Sequence, residues 1–420
     1  MKNPSFWSPL KSHFFRGVLA IGGSTALAQL VAVLASPILT RVYGPDDMGS
    51  WGLFVSFLGL ASVLTSLRYE VAIVAARKDE DALLLCCSGL VLVLLTSLLG
   101  AFAFEFLRQG GALGYGVFSP LATLLAFIAL ASTGFGLVLR FFALRRERFG
   151  VIGRFTVAQA WSKVLLQLVL SPFGSMGLLL GETLGRLVSL GWLFRGLSCL
   201  RPAFAPRVLL AYWTYPVIQL PSSFVNTLVL VAPVPLFVSL YGPSAGGALA
   251  LAQRVVGLPV SLIGTAVADV FYGRASIMLR QEPKRLLAFF LRVSFGLGLM
   301  GFALGFVLWF FAPKVATWVF GPEWELAGQM LGAMAPWVTL QLAVSPVSRV
   351  VFLSPWSWLK LLYDFLSLGA VLSPLWFLRF SGPVEAVWGI SLLMAGTYGA
   401  YFVILLFLVH RLQYEGGGGA

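Results

Sequence analysis

The sequence has few histidines, cysteines and charged residues, and each shortage excludes a class of function. The two histidines, His13 and His410, lie near the ends of the 420-residue chain, which argues against catalytic histidine chemistry and zinc sites. The three cysteines are Cys86, Cys87 and Cys199, and their odd number argues against a disulfide framework. Their spacing is not that of metal ligands, which argues against a metal site. No Gly-rich phosphate loop is present, so direct ATP hydrolysis is not expected. We therefore expect no metal, no cofactor and no enzymatic activity.

The shortage of charge is matched by an excess of apolar residues. Charged residues make up 11% of the chain, hydrophobic residues 59%, and the mean hydropathy is +0.91. A soluble domain has about 25% charged residues. Apolar runs at 286–312 and 384–409 exceed the roughly 20 residues that a helix needs to cross a bilayer, and they lack the period-2 alternation of a membrane barrel. The composition predicts an all-α integral membrane protein that spans the membrane many times.

The apolar runs and the turn residues between them predict about twelve transmembrane helices. Their approximate bounds are 17–40, 49–67, 82–106, 115–139, 151–172, 174–194, 209–239, 245–272, 287–312, 327–353, 357–378 and 385–409. Four prolines interrupt the seventh of these spans, which predicts a kink or a tilt.

The formal charge of +13 is a topology signal. When basic residues are sorted by alternate loops, nearly all of them fall in one set, and the other set contains only Arg41, Arg108, Lys314 and Arg379. The positive-inside rule then predicts cytoplasmic N and C termini, which agrees with an even number of spans. A basic protein that binds nucleic acid would not show this alternation, so no nucleic-acid partner is expected.

A repeated turn suggests two homologous halves. Tyr-Gly-Pro begins at Tyr43 and again at Tyr241, 198 positions later, and Pro37/Pro235 and Gly49/Gly247 share that offset. The pattern predicts two parallel six-helix bundles, residues 1–200 and 201–414, followed by a flexible tail or expression scar at 415–420. This is the architecture of alternating-access transporters, whose site is expected near the membrane midplane between the halves.

Three segments carry a more specific pattern. They are 39–74, which contains Leu67-Arg68-Tyr69-Glu70; 251–276, LAQRVVGLPVSLIGTAVADVFYGRAS; and 319–352, VFGPEWELAGQMLGAMAPWVTLQLAVSPVSRVVF. All three resemble Wzx-type polysaccharide (O-antigen) flippases, the polysaccharide transport branch of the MOP exporter superfamily.

The resemblance implies a flippase of the inner (plasma) membrane. Its substrate would be an undecaprenyl-pyrophosphate-linked oligosaccharide, an O-antigen or other surface polysaccharide repeat unit, moved from the inner to the outer leaflet. Membrane lipids, a coupled H⁺ or Na⁺ and the polysaccharide polymerase machinery are the implied partners, and a monomer is expected. Residues 252–259 also resemble the arginine-containing stretch of lipid II flippases, which implies a substrate-site role for Arg254. Those proteins typically have fourteen spans and an acidic residue where this chain has Ser50 and Trp51.

Ionisable residues inside the spans are the main site candidates, because each is costly in lipid unless paired or hydrated. Lys163, Arg186 and Arg254 predict a cationic cavity for a pyrophosphate, with arginine binding phosphate oxygens in pairs and lysine acting as a point charge. Glu182 lies four residues before Arg186 on one helical face, so it is a candidate for ion coupling or for simple neutralisation of that arginine.

Other charged residues lie nearer the expected cytoplasmic surface. Arg16 and Arg349 are further candidates for substrate binding in the cationic cavity, at the rim of a cytoplasmic entrance. Asp269 at the same rim is a candidate for coupling or an ion pair, and snorkelling to the surface is the alternative for all three residues. Arg68 and Glu70 flank Tyr69, and these three residues predict an ion pair at a cytoplasmic gate or hinge.

Two alternatives from other classes remain at this point. A multidrug exporter of the related MATE branch also has twelve spans, but its cationic substrates call for an acidic site, and the deep charges here are mostly basic. An integral-membrane polymerase or ligase would need a large extracytoplasmic loop, and the expected turns on that side are short.

Overall fold

The computed structural model describes residues 8–196, 204–354, 356, 358–376 and 380–415, and within them the chain is helical with no β-strand. The chain forms two compact units, Met1–Thr227 and Leu228–Ala420. The expected repeat halves, 1–200 and 201–414, stay a prediction. Residues 416–420 of the expected tail lie outside the described residues.

The helices are numbered in chain order, and the division between the units falls within α10. They are α1 Ser8–Leu34, α2 Ser36–Val42, α3 Pro45–Thr65, α4 Tyr69–Ala75, α5 Asp79–Gly110, α6 Pro120–Arg145, α7 Phe149–Val169, α8 Ser175–Gly196, α9 Pro206–Ala211, α10 Leu220–Val231, α11 Pro233–Tyr241, α12 Pro243–Gln281, α13 Leu286–Phe320, α14 Glu325–Ala333, α15 Ala335–Val344, α16 Leu359–Trp376 and α17 Pro383–Glu415. Short 3₁₀ turns occupy Ala112–Val117, Ser171–Phe173, Pro283–Arg285, Pro322–Trp324 and Ser348–Leu353, and a π turn occupies Tyr215–Gln219.

The predicted all-α membrane class is confirmed, and each of the twelve predicted spans overlaps helical segments of the described residues. Nine helices in the described residues are long and apolar enough to cross a membrane, or ten if Tyr215–Val231 and Pro233–Tyr241, bent by 40°, form one span. The two remaining predicted spans are α7 and α16. Both are helical, but Arg154 and Lys163 in α7 and Lys360 and Asp364 in α16 lower their hydropathy.

The repeated turn has a repeated local structure. In each copy a short helix, α2 or α11, follows a break in the backbone helix and ends next to the Tyr-Gly-Pro turn. Pro45 and Pro243 then start α3 and α12, because proline at the first helical position has the required φ and lacks only an N–H that would have no helical partner there. The Tyr43 hydroxyl donates to the carbonyl of Gln167, and the Tyr241 hydroxyl donates to that of Phe380.

Small residues bring the helices close together within each unit. In unit 1, a Cβ on Gly181 of α8 would lie 2.6 Å from the backbone nitrogen of Gln167 on α7. In unit 2, a Cβ on Gly301 of α13 would lie 2.6 Å from the carbonyl oxygen of Thr339 on α15. Helices in lipid associate through close packing of this kind, since lipid removes the hydrophobic drive between them.

Candidate functional site

The α7–α8 pair positions the deepest charges of unit 1. Gly177, Gly181 and Gly185 recur every four residues on α8 and form the face that packs against α7. At the last of these, a Cβ would lie 2.6 Å from Cγ and 2.7 Å from Cα of Lys163. The absence of a side chain at Gly185 therefore lets the backbone of Lys163 approach α8 beside the carboxylate of Glu182.

Lys163 and Arg186 form one ion cluster around the buried carboxylate of Glu182. Glu182 Oε1 accepts hydrogen bonds from Lys163 Nζ at 3.3 Å, from Arg186 Nε at 2.9 Å and from Arg186 Nη2 at 2.7 Å. The carboxylate side chain is 3% exposed, whereas Arg186 is 16% and Lys163 29% exposed. Two cations around one carboxylate leave the cluster with a net charge of +1.

A third helix orients the arginine. Arg186 Nη1 donates to Thr133 Oγ1 of α6 at 2.6 Å, and this hydroxyl in turn donates to the carbonyl of Ala129 at 2.6 Å. Because the hydroxyl hydrogen is committed to that carbonyl, Thr133 presents its lone pairs to the guanidinium. The cluster thus joins α6, α7 and α8.

Sequence reasoning predicted the Glu182–Arg186 pair and identified no partner for Lys163. The structure shows that its partner is Glu182, on the next helix. The signal that could have found this contact is the Gly-x₃-Gly-x₃-Gly spacing at 177–185, which is typical of closely packed membrane helices.

The predicted Arg68–Glu70 ion pair is present, at a break between α3 and α4. Arg68 Nη1 lies 3.2 Å from Glu70 Oε1, and Ser66 Oγ donates to Glu70 Oε2 at 2.5 Å. The Glu70 side chain is fully buried. Arg68 Nε also donates to Ser223 Oγ at 3.0 Å, so the arginine connects the break to α10.

The backbone at this break is left-handed at two consecutive residues. Leu67 has a φ of 49° and Arg68 a φ of 66°, a conformation that costs an L-amino acid free energy and persists only where the surroundings impose it. Tyr69 is buried, and its hydroxyl donates to the carbonyl of Leu209 at 3.1 Å. Burial raises the pKa of this hydroxyl. A gate or hinge role for these residues stays a prediction.

Unit 2 contains a partly polar cavity of about 580 Å³. Its lining includes polar side chains on α12, α15, α16 and the intervening turn: Gln253, Ser261, Thr265, Gln341, Ser345, Ser348, Arg349 and Lys360. Trp337 is also part of this wall and is buried. The cavity combines amide, hydroxyl and cationic groups with an apolar background.

Both cations of this cavity are ion-paired, in different surroundings. Arg349 Nη1 pairs with Asp269 Oδ1, and both side chains are exposed, at 40% and 69%. Lys360 Nζ lies 2.8 Å from Asp364 Oδ2, whose side chain is 2% exposed. Arg349 and Asp269, two of the charged residues expected near the cytoplasmic surface, therefore form a solvent-accessible pair. Lys360 is a cavity cation that the sequence did not single out.

Two predicted candidates remain, Arg254 and Arg16. Arg254 is half-buried on α12, next to Gln253, and is not among the residues that line the cavity. Arg16 belongs to α1, and its side chain lies outside the described residues.

Comparison with known proteins identifies the family. The sequence pattern of the family described as "Polysaccharide biosynthesis protein" matches residues 38–328, well over half of the chain. Against curated protein sequences the chain has no match.

Solved structures show the fold. The lipid II flippase MurJ in an inward closed conformation superposes with a TM-score of 0.72 at 10% identity, covering 94% of this chain and 89% of the other. An inward-facing multidrug resistance MATE family transporter of the MOP superfamily gives 0.63 at 16% identity, covering 93% and 96%. A MOP superfamily transporter from Pyrococcus furiosus, described by the reverse polarity of its binding pocket, gives 0.58 at 16% identity, covering 94% and 96%.

The family match and the shared fold together confirm the resemblance found in the sequence. The chain is a multi-pass protein of the inner membrane. With a family pattern that matches most of its length and a fold shared with MOP exporters, the chain belongs to the polysaccharide biosynthesis protein family.

Proposed function

We propose that this protein flips an undecaprenyl-pyrophosphate-linked oligosaccharide from the inner to the outer leaflet by alternating access and performs no chemical reaction on it. The observation that carries the proposal is the cluster of Lys163 and Arg186 around the buried carboxylate of Glu182, with two cations to one anion. A net positive group inside a membrane protein is costly unless a function requires it. A pyrophosphate is the part of such a substrate that would compensate this charge.

Glu182 supplies a route for ion coupling. All three hydrogen bonds from Lys163 and Arg186 end on one oxygen, Oε1, so a proton on the carboxyl group would weaken the hold on both cations together. The protonated form would leave two cations for the pyrophosphate, and the ionised form would compete with it. Substrate binding and protonation would then favour each other, as linkage requires of two events that stabilise the same state. A Na⁺ ion at the carboxylate would act in the same way.

The unit 2 cavity has groups suited to the sugar portion. Gln253 and Gln341 offer amide donors and acceptors, and Trp337 offers an aromatic surface. Arg349 adds a solvent-accessible cation, and Arg254 on the same helix as Gln253 is the further cationic candidate. Sugar recognition through such dispersed polar groups agrees with a substrate that must bind and then leave.

The experiment is transport in proteoliposomes that contain the lipid-linked oligosaccharide and a proton gradient. The measurement is the fraction of glycan accessible to a membrane-impermeant lectin over time. We expect Lys163→Ala, Arg186→Ala and Arg254→Ala each to slow the appearance of lectin-accessible glycan at least tenfold. Each substitution would remove a charge-assisted contact with the substrate. Glu182→Gln should abolish the response to the gradient while leaving slow, gradient-independent flipping. Arg280→Ala, an exposed change on α12, is the control.

Two further substrates separate the alternatives. Lipid II shares the pyrophosphate, so preferential flipping of lipid II would show that the glycan specificity is that of a lipid II flippase. Efflux of an organic cation without movement of either lipid would support a MATE-like exporter and overturn the proposal. Unchanged glycan flipping in Lys163→Ala and Arg186→Ala would show that the cluster is structural.

A further inference from the structure

A second cavity in unit 2, of about 660 Å³, has a different chemistry. It is a groove formed by α13, α15 and α17, and its walls are almost wholly apolar. Phe295 and Leu299 of α13, 70% and 57% exposed, form its outer edge. Phe402 of α17 forms an inner wall, and its ring stacks on the fully buried Phe290 with the centroids 5.6 Å apart. The groove is therefore a preformed apolar surface on a membrane helix bundle.

One cation lies in the wall of this groove. Arg292 is exposed, and within the described part of the chain it has no carboxylate in salt-bridge range. Arg285 on the preceding turn and Lys360 on α16 differ, because Arg285 pairs with Glu282 and Lys360 with Asp364. An unpaired guanidinium beside an apolar groove fits an anionic group attached to a hydrocarbon chain.

The order of residues along α13 matches the order of groups in a phospholipid. Arg292 lies six residues after Leu286, about 9 Å from the start of the helix. Phe295 and Leu299 lie one and two turns deeper. α17 approaches the same end of α13 through a hydrogen bond from Gln413 Nε2 to the carbonyl of Lys284, and its groove residue Phe402 stacks on Phe290. A phosphate at Arg292 would thus lie near the interface, with its chain in the groove.

The surrounding charge favours an anionic headgroup over a zwitterionic one. Residues 280–292 contain four basic residues and one acidic residue. Basic clusters of this kind at a membrane surface attract anionic lipids.

We propose that this groove is a binding site for an anionic glycerophospholipid of the bilayer, with its phosphate on Arg292 and one acyl chain along Phe295, Leu299 and Phe402. The site is separate from the transported substrate and does not depend on its identity. Its occupant would join α13, α15 and α17 and stabilise unit 2.

The test titrates the purified, delipidated full-length protein with phosphatidylglycerol and, in parallel, with phosphatidylcholine of identical chains. Thermal unfolding and native mass spectrometry measure binding. Phosphatidylglycerol should stabilise the protein at a concentration at least about tenfold lower than the concentration of phosphatidylcholine that is needed. Charge-assisted hydrogen bonds from arginine to the anionic headgroup provide this difference in affinity. Arg292→Gln should remove the preference, and Arg285→Gln should keep it.

Two glycines of α17 provide a matched pair for the chain pocket. Gly399 lines the groove and Gly396 lies three residues earlier on the exposed surface, and an added Cβ meets nothing within 4 Å at either position. Gly399→Phe should fill the groove and abolish lipid binding, whereas Gly396→Phe should not.

A photoactivatable acyl chain on phosphatidylglycerol gives a readout that needs no variant, and its crosslinks should map to α13 and α17 near Phe295 and Phe402. Equal binding of both phospholipids, equal behaviour of Arg292→Gln and Arg285→Gln, or crosslinks elsewhere would overturn the proposal. Displacement of phosphatidylglycerol by undecaprenyl phosphate at tenfold lower concentration would also overturn it and assign the groove to the carrier lipid.

Discussion

Lys163 Nζ lies 3.3 Å from Glu182 Oε1, a contact between residues 19 apart in sequence on two helices that touch through glycine. The same carboxylate oxygen also holds Arg186. A charge in the middle of a membrane helix therefore has an ionic partner, yet the cluster as a whole remains positive.

Removal of the carboxylate should destabilise the protein far more than removal of either cation. Glu182→Ala leaves two partly buried cations without this shared anion and should lower the free energy of unfolding by about 3 kcal/mol. Lys163→Met leaves the Glu182–Arg186 pair intact and should cost much less. Replacing all three residues with methionine should restore stability to near that of the original protein while transport stays lost. Thermal unfolding in detergent measures the stabilities, and restored transport in the triple variant would contradict the proposed role.

Gly185→Ala should separate α7 from α8. Its Cβ would lie 2.6 Å from Cγ of Lys163, so the helices must move apart, at a cost of about 1–3 kcal/mol of unfolding free energy. Gly191→Ala, on the same helix where a Cβ meets nothing within 4 Å, is the control and should be neutral or stabilising. Equal effects of the two changes would show that the close approach at Gly185 does not matter.

Two substitutions of Arg68 test the strained break between α3 and α4. Arg68→Ala and Arg68→Gly both remove the ion pair with Glu70, but only glycine adopts a φ of 66° without cost. The free energy of unfolding of the glycine variant should therefore be about 1 kcal/mol higher than that of the alanine variant. If the charge itself controls a gate, both variants should be equally defective in transport despite this difference, and a transport rate that follows stability would count against a gate.

The two ion pairs of the unit 2 cavity should respond differently to truncation. Lys360→Ala leaves Asp364 buried at 2% exposure and should cost about 3 kcal/mol of stability. Arg349→Ala removes an exposed pair and should change stability by less than about 1 kcal/mol. Because Arg349→Ala leaves the fold intact, a loss of transport in that variant would reflect substrate contact. Unaltered transport would exclude Arg349 from the binding site.

The sequence by itself determined the membrane class, the positions of the spans and the family. In lipid, the backbone polar groups of a long apolar run are hydrogen-bonded only if the run is helical, and Gly-Pro turns mark where the runs end. The linear pattern of apolar and turn residues is therefore sufficient to locate the spans. The Glu182–Arg186 and Arg68–Glu70 pairs were also within reach, because their members lie within four residues of each other.

The tertiary structure alone decided which distant residues meet. The partner of Lys163 depends on the face of α8 that its glycines turn towards α7, and the role of Arg68 depends on Ser223, 155 positions away. The groove beside Arg292 arises only where α13, α15 and α17 converge. Helical periodicity defines the face of one helix, but the choice of the opposing helix depends on packing that no local pattern contains.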